Sequence, residues 1–464
     1  MNIQIKCINK RVKPWAFFIA ERGKKTIFVT AGIFITLACF SQTQPPTIKE
    51  VAAKFYNTYD VDSLPYPVVR FEKRKTEWKI VTQKFEAGKW VDVDTFLFYN
   101  GNEKKYLPLP LPAKEDTNFV DYRNYVDYYN ETNYTIQPYY GYRGWYKDVI
   151  ADLGNETQLS DSALYALARA YSEYASDLLY DQYNLALTNE TFDMPLARNC
   201  MNEEQRNEYH AIIQKAIDCY AQVGKINPNF QTVVGNIRMK YANEVLVEFH
   251  TYLTYADEYA RTYSLPDNLY PDSIIEKTKK ILESCPKNAI FLSEGDNDLY
   301  RVLYVQQKMG YRQDVHAINI SLLGIDRYIF MATQPQFQSP PVKLSVAPEY
   351  YKNDINNIVL VEDIINSAIS FNNVIDIIKN GNRDTNNIST IPSSTFIINR
   401  KSDKTGIFVK TNNPPFYLYK NDWILLDILN NLDGRAFVSQ YPLYNELSFL
   451  NNYLTKINDI LYTF

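Results

Sequence analysis

Three patterns of apolar and polar positions follow one another along the chain. Between residues 47 and 145, short runs rich in β-branched and aromatic residues read as strands: Val68-Val69-Arg70-Phe71, Glu77-Trp78-Lys79-Ile80-Val81 and Phe96-Leu97-Phe98-Tyr99. Asn100-Gly101 is a strong turn signal and Glu86-Ala87-Gly88-Lys89 a weaker one. The Leu107 to Pro112 run, LPLPLP, ends this sheet, because proline donates no ladder hydrogen bond. Residues 117–145 are rich in Tyr and Asn without a period and read as an ordered surface loop.

From Trp145 the spacing turns helical. Leu164, Leu167, Ala168, Tyr171, Ala175 and Leu178 recur at intervals of three and four, with Ser160 and Asp161 placed to cap. A second stripe carries Ile212, Ala216, Tyr220 and Val223 and stops at Asn227-Pro228. A third carries Val234, Ile237, Tyr241, Val245, Phe249 and Tyr252. Cys285-Pro286-Lys287-Asn288 marks a boundary, beyond which strands and helices alternate as in an α/β layer. The expected fold is α+β and multidomain: a β-rich region at 47–145, a helical domain at 146–285 and an α/β domain at 286–464.

The last domain holds the candidate site. Ala289 to Ser293 reads as a buried strand, followed by Glu294-Gly295-Asp296-Asn297-Asp298. A helix then presents Leu299, Val302, Leu303, Gln306 and Met309, and Gly310-Tyr311 ends it. Asp314 to Leu322 alternates as a second strand, with His316, Ile318, Ile320 and Leu322 on one face and Val315, Ala317, Asn319 and Ser321 on the other. If the two strands are parallel, Asp296, Asn297, Asp298, Asn319 and Ser321 share the crevice where open α/β sheets bind ligands. Three readings stay open. Asp296 or Asp298 caps the helix and Gly295 takes a positive φ; Asp296 and Asp298 with an amide oxygen hold a divalent cation; or the cluster hydrogen-bonds sugar hydroxyls. Capping accounts for the pattern with no ligand at all.

Residues 1–41 read as a leader. Lys24 and Lys25 precede an uncharged run from Ile27 to Ala38, shorter than a membrane span of ~20 residues. Thr36-Leu37-Ala38-Cys39 resembles a loose lipobox, which would make Cys39 lipidated and N-terminal. Cleavage before Gln42 and an uncleaved leader are the alternatives. The protein is thus expected to be exported, in the periplasm or at the outer membrane, and held to a membrane only by its lipid or leader. A net charge of −4 gives no basic footprint for nucleic acid. Cys200, Cys219 and Cys285 have neither metal-ligand nor CxxC spacing. His210, His250 and His316 have no paired spacing, and no GxSxG, GxxxxGK or GxGxxG is present.

Two resemblances add to this. Ala216, Tyr220, Val223 and Pro228, with Tyr241 following, resemble the second half of a tetratricopeptide repeat. Gly295-Asp296-Asn297-Asp298, Arg312-Gln313-Asp314-Val315, Asn319-Ile320-Ser321-Leu322-Leu323 and Tyr419 to Leu429 with Arg435-Ala436-Phe437-Val438 resemble the soluble tail of bacterial protein-mannosyltransferase-like, multi-spanning membrane proteins. Leu299 and Arg327 stand where that family has Thr and Trp, and Ala436 where it has Pro. The resemblance covers about residues 286–440, without the membrane half, and implies fold and an accessory role. The expected function is an exported, envelope-associated binding or scaffold protein without catalysis of its own, with an envelope protein or glycan as partner. The alternative is an accessory protein or enzyme of surface-glycan processing that uses the acidic strand-end site.

Overall fold

The computed structural model describes residues 45–65, 68–74, 76–86, 89–115, 144–180, 200–352, 355–381, 383, 388–398, 406–411, 414–432, 436–438, 443, 445–459 and 461–464. Pro45–Phe464 is the second of two units, and residues 1–44 lie outside the described set. The expected leader and Cys39 lie there, and the loop expected at 117–145 falls outside it up to residue 143.

The second unit is a mixed α+β arrangement. It opens with a helix, α1 (Ile48–Tyr56), inside the region expected to be β-rich. Ile48, Val51, Ala52 and Phe55 are buried on one stripe, the i, i+3, i+4, i+7 pattern of an amphipathic helix. A reciprocal capping box starts it: Glu50 N donates to Thr47 Oγ1 at 3.3 Å, and Thr47 N to Glu50 Oε2 at 2.8 Å. The expected strands follow as an antiparallel meander: β1 (Val68–Arg74), β2 (Glu77–Glu86), β3 (Lys89–Asn100) and β4 (Lys105–Tyr106). One face of this sheet buries Phe71, Trp78, Ile80 and Phe98 against α1 and α2 (Trp145–Leu153).

A helical layer comes next: α3 (Asp161–Tyr180), α4 (Glu203–Ile226), α5 (Ile237–Tyr255), the short α6 (Asp257–Ala260) and α7 (Asp272–Ser284). Ser160 Oγ accepts from Ala163 N at 3.2 Å, the cap read from the sequence. The third stripe begins at Ile237; Val234 lies in a two-residue hairpin between β5 (Gln231–Thr232) and β6 (Gly235–Asn236).

The C-terminal part is built on a five-stranded sheet of order β16-β17-β15-β7-β8. Its strands are β7 (Ile290–Ser293), β8 (His316–Asn319), β15 (Ala436–Val438), β16 (Thr455–Asn458) and β17 (Leu461–Thr463). β7 pairs in parallel with both β8 and β15, and α8 (Asp296–Met309) crosses from β7 to β8. Alternation decides which way each side chain goes. Phe291, Ala317 and Phe437 enter the core of the helical layer; Ile290, Leu292, Ile318, Ala436 and Val438 enter a second core behind the sheet. That second core is closed by α9 (Asp326–Ala332), α10 (Phe371–Asn380) and α11 (Lys420–Asn430). Two small sheets complete it, β11-β9-β14 and β10-β12-β13, from β9 (Ile358–Val361), β10 (Ile369–Ser370), β11 (Ser389–Ile391), β12 (Thr395–Ile398), β13 (Ile407–Lys410) and β14 (Phe416–Tyr419). No described helix is long and apolar enough to cross a membrane.

The second expected strand is shorter than its alternation suggests. It ends at Asn319, and Ile320–Gly324 winds into a 3-10 turn. Asn319 causes the stop: its Oδ1 accepts Ser321 N at 3.0 Å, a bond that curls the chain out of the ladder.

Candidate functional site

β7 and β8 do lie parallel, and Ser293 sits opposite Asn319 at the shared carboxyl edge. Asn319 is the centre of that edge and is 1% exposed. Its Nδ2 donates to Asp296 Oδ1 at 2.7 Å, its Oδ1 takes Ser321 N, and its backbone N donates to Tyr328 Oη at 2.8 Å. Ser321 Oγ donates across the crevice to the Glu294 carbonyl at 2.9 Å. The structure therefore brings Asp296, Asn319 and Ser321 together.

The other two predicted residues bond elsewhere. Asn297 Oδ1 accepts from Asn243 Nδ2 of α5, and Asn243 Oδ1 accepts Tyr270 Oη at 3.1 Å. Asp298 receives Arg301 Nη1 at 3.4 Å and faces a narrow groove shared with Lys277 and Thr278 of α7. The one acidic turn thus bonds to β8 through Asp296 and to α5 through Asn297, while Asp298 pairs within α8 beside a groove that α7 also lines.

Two expectations change as a result. Gly295 is the residue before the helix, but its φ is −146°, ordinary extended backbone, and no side chain caps α8. Asp296 and Asp298 occupy the first turn instead, where their charge opposes the positive end of the helix dipole. Among the described residues no group of three or more His, Cys, Asp or Glu is placed to hold a metal. Within the acidic turn the Asn297 amide oxygen accepts Asn243 Nδ2, and Asp298 pairs with Arg301.

Electrostatically the edge is tuned from the helical layer. The Asp296 carboxyl is pushed above its ordinary range by burial, opposed by the bond from Asn319, the nearby Lys240 ammonium and a bond from Tyr300. The residue as a whole keeps a solvent-exposed side, so the shift reflects how the carboxyl is seated in the crevice. Lys240 itself is fixed by Glu244 at 2.7 Å and lies 4.9 Å over the Tyr220 ring. His250, Tyr300 and Tyr328 pack behind the edge, with ring centroids 5.9 and 5.5 Å from the imidazole. Lys240 and His250 lie on α5, far along the chain, and were not legible from the sequence; Tyr300 shares the helix of Asp296.

Removing Asn319 tests how much the edge depends on it. We expect Asn319→Ala to cost about 1–2 kcal/mol in urea unfolding, since the Ser321 backbone N–H, in a part-buried bond, and the Asp296 carboxylate lose partners together and a small void is left. A cost below about 0.5 kcal/mol would show that the crevice does not need this side chain.

A second concavity was not foreseen. A cleft of about 710 Å³ opens where the end of α5, α6, α8, α9 and the segment after α9 meet.

Residues 275–462 match the family model described as TMEM260-associated domain 2. The match begins within α7 and takes in the five-stranded sheet and the second core. This region is thus similar to a C-terminal domain associated with a membrane-protein family, over the stretch in which the sequence resembles a mannosyltransferase-like tail. No curated protein and no solved structure matches the chain.

Proposed function

We propose that this is an exported, envelope-associated binding or scaffold protein that does no catalysis of its own and docks an envelope protein or glycan. The observation that carries the reading is how the strand-end polar groups are spent. Asp296, Asn297, Asn319 and Ser321 hydrogen-bond one another, the Glu294 carbonyl and α5, which ties the sheet edge to the helical layer. A reaction site needs such groups turned to a substrate. The likeness of residues 275–462 to a domain associated with a membrane-protein family supports a partner at a membrane. The helical layer, with its repeat-like stripe, offers an interaction surface of the kind helical arrays use. Attachment to the membrane would be through Cys39 or the leader.

The test is to incubate the full chain with envelope vesicles, before and after protease treatment and periodate oxidation, and to follow both binding and sugar transfer. Saturable binding abolished by one treatment, with no product from nucleotide- or lipid-linked sugars, is expected. Product formation, or binding that neither treatment touches, would overturn the reading.

A further inference from the structure

The cleft beside α9 is built differently from the strand-end edge, and its chemistry is not consumed internally. Arg327 sits on its wall. Its Nε donates to the Thr254 carbonyl at 2.8 Å, and its guanidinium carbon lies 4.6 Å from the Phe330 ring centroid. These two contacts fix the plane of the fork by its base and one face. No acidic side chain among the described residues pairs with it, so both terminal nitrogens remain as donors. Arg261, on the rim, keeps 76% of its side chain exposed and holds only a 3.6 Å approach to Asp257. Two cations therefore stand against one carboxylate in the lining.

Phe337 lines the same cleft. Its φ is +53°, a conformation that costs a residue with a Cβ about 1–2 kcal/mol. The chain enforces it from both sides. The Gln336 side chain accepts Ala317 N at 2.9 Å, Gln338 N donates to the Gln313 carbonyl at 3.1 Å, and Ser339 N to the Gln336 carbonyl at 2.9 Å. The clamped segment sets the aromatic ring in the cleft lining. Gln334, exposed in the lining, spends one amide hydrogen on Thr333 Oγ1 at 3.3 Å and keeps its amide oxygen for a hydroxyl.

A pre-oriented guanidinium, an aromatic wall and a rim amide are complementary to three features of one kind of molecule. The fork matches a carboxylate in two parallel bonds. The ring matches the C–H face of a pyranose, and the amide its hydroxyls. The volume lies within the usual range for small-ligand sites, roughly 300–1,000 Å³. We propose that this cleft binds a carboxylate-bearing sugar, with Arg327 taking the carboxylate and Phe337 the sugar face. The site stands apart from the strand-end edge and does not depend on the scaffold reading.

Calorimetric titration of the full chain tests it, with a glucuronate-containing disaccharide as probe. The matching neutral disaccharide, decanoate and inorganic phosphate serve as comparisons. The acidic disaccharide should bind saturably and at least about tenfold more tightly than the neutral one. Arg327→Gln should remove about tenfold or more of that affinity, and Arg327→Lys several-fold, because Lys offers charge without the fork. Phe337→Ala should weaken binding about tenfold, and Arg261→Gln about two- to fivefold. Melting temperatures without ligand identify any variant that is merely unfolded. If Arg327→Gln is one, Arg261→Gln at the exposed rim still gives the answer. Equal binding of both disaccharides, no saturable heat with either, or binding of decanoate or phosphate in place of the acidic sugar would each overturn the assignment.

Discussion

Replacing His250 by Phe is expected to make the protein markedly less sensitive to acid. His250 is 7% exposed, its Nε2 has no hydrogen-bond partner among the described residues, and burial drives its pKa down to about 4. Above about pH 6.5 the imidazole is neutral in folded and unfolded chains alike, and nothing is lost. Between about 6.5 and 4 the unfolded chain takes up a proton that the folded chain refuses, so stability falls with falling pH. A gap of that size is worth about 3 kcal/mol. His316, 1% exposed, is shifted down to about 4 in the same way, burial outweighing its bond to the Pro340 carbonyl. Asp427 works in the opposite sense. Burial raises its carboxyl to about 6, so the folded chain takes its proton first and gains up to about 3 kcal/mol as pH drops from 6 to 4. The net curve mixes all three, which is why the comparison with the variant matters. Urea unfolding at pH 7 and pH 4 should show the loss in His250→Phe smaller than in the parent by about 3 kcal/mol. At pH 7 the two should differ little, because the change removes one unpartnered nitrogen and keeps a ring between Tyr300 and Tyr328. Equal acid losses would mean that His250 titrates normally.

The largest loss from a single substitution is expected at Asn356. This residue is fully buried at φ +53°, in the left-handed region that Asn tolerates better than most residues. Its Nδ2 donates to the carbonyls of Tyr350 at 2.9 Å and Ile378 at 3.1 Å. Its Oδ1 accepts Ser389 Oγ at 3.3 Å, and its own carbonyl accepts Trp423 Nε1 at 2.9 Å. One side chain thereby joins α10, β11 and the segment before β9, while its backbone anchors α11. Asn356→Ala strands the Tyr350 carbonyl and the Ser389 hydroxyl, takes the acceptor from Arg383 Nε and adds backbone strain, while the Ile378 carbonyl keeps Arg383 Nη2 at 3.1 Å, for an expected cost of about 3–4 kcal/mol. Asn356→Gly should recover only the strain, about 1 kcal/mol. Chemical denaturation of both variants measures this, and a loss below about 1 kcal/mol in the alanine variant would show that the hub is dispensable.

What the sequence made legible, and what it did not, follows from distance along the chain. The α+β character, the strand-helix-strand at 290–319 and the pairing of Asp296 with Asn319 rest on local periodicity and a short crossover, so they could be read directly. The helix at 48–56 is equally local, with its capping box at Thr47 and Glu50 in the sequence, although the strands that follow dominate the apolar pattern of that region. Gly295 misled for a physical reason. A glycine before an acidic turn suggests a positive φ, yet the backbone is extended and a Cβ there would meet nothing within 4 Å. Asn319 ended a strand whose alternation continued, because one side-chain bond outweighed the period. The cleft was out of reach. Arg327 is oriented by Thr254, and Phe337 by Gln313 and Ala317 through its neighbours, contacts that only the folded layers create.

The central sheet also constrains how the molecule can be made. β7 and β8 are translated long before β15 and β17, which complete their sheet. Until those later strands emerge, the open edge of β7 and the apolar face around Leu292 have no cover from their own chain, whereas Phe291 already faces the helical layer made before it. Folding of this region must therefore trail synthesis, and the waiting segment is where a holding chaperone would be needed most.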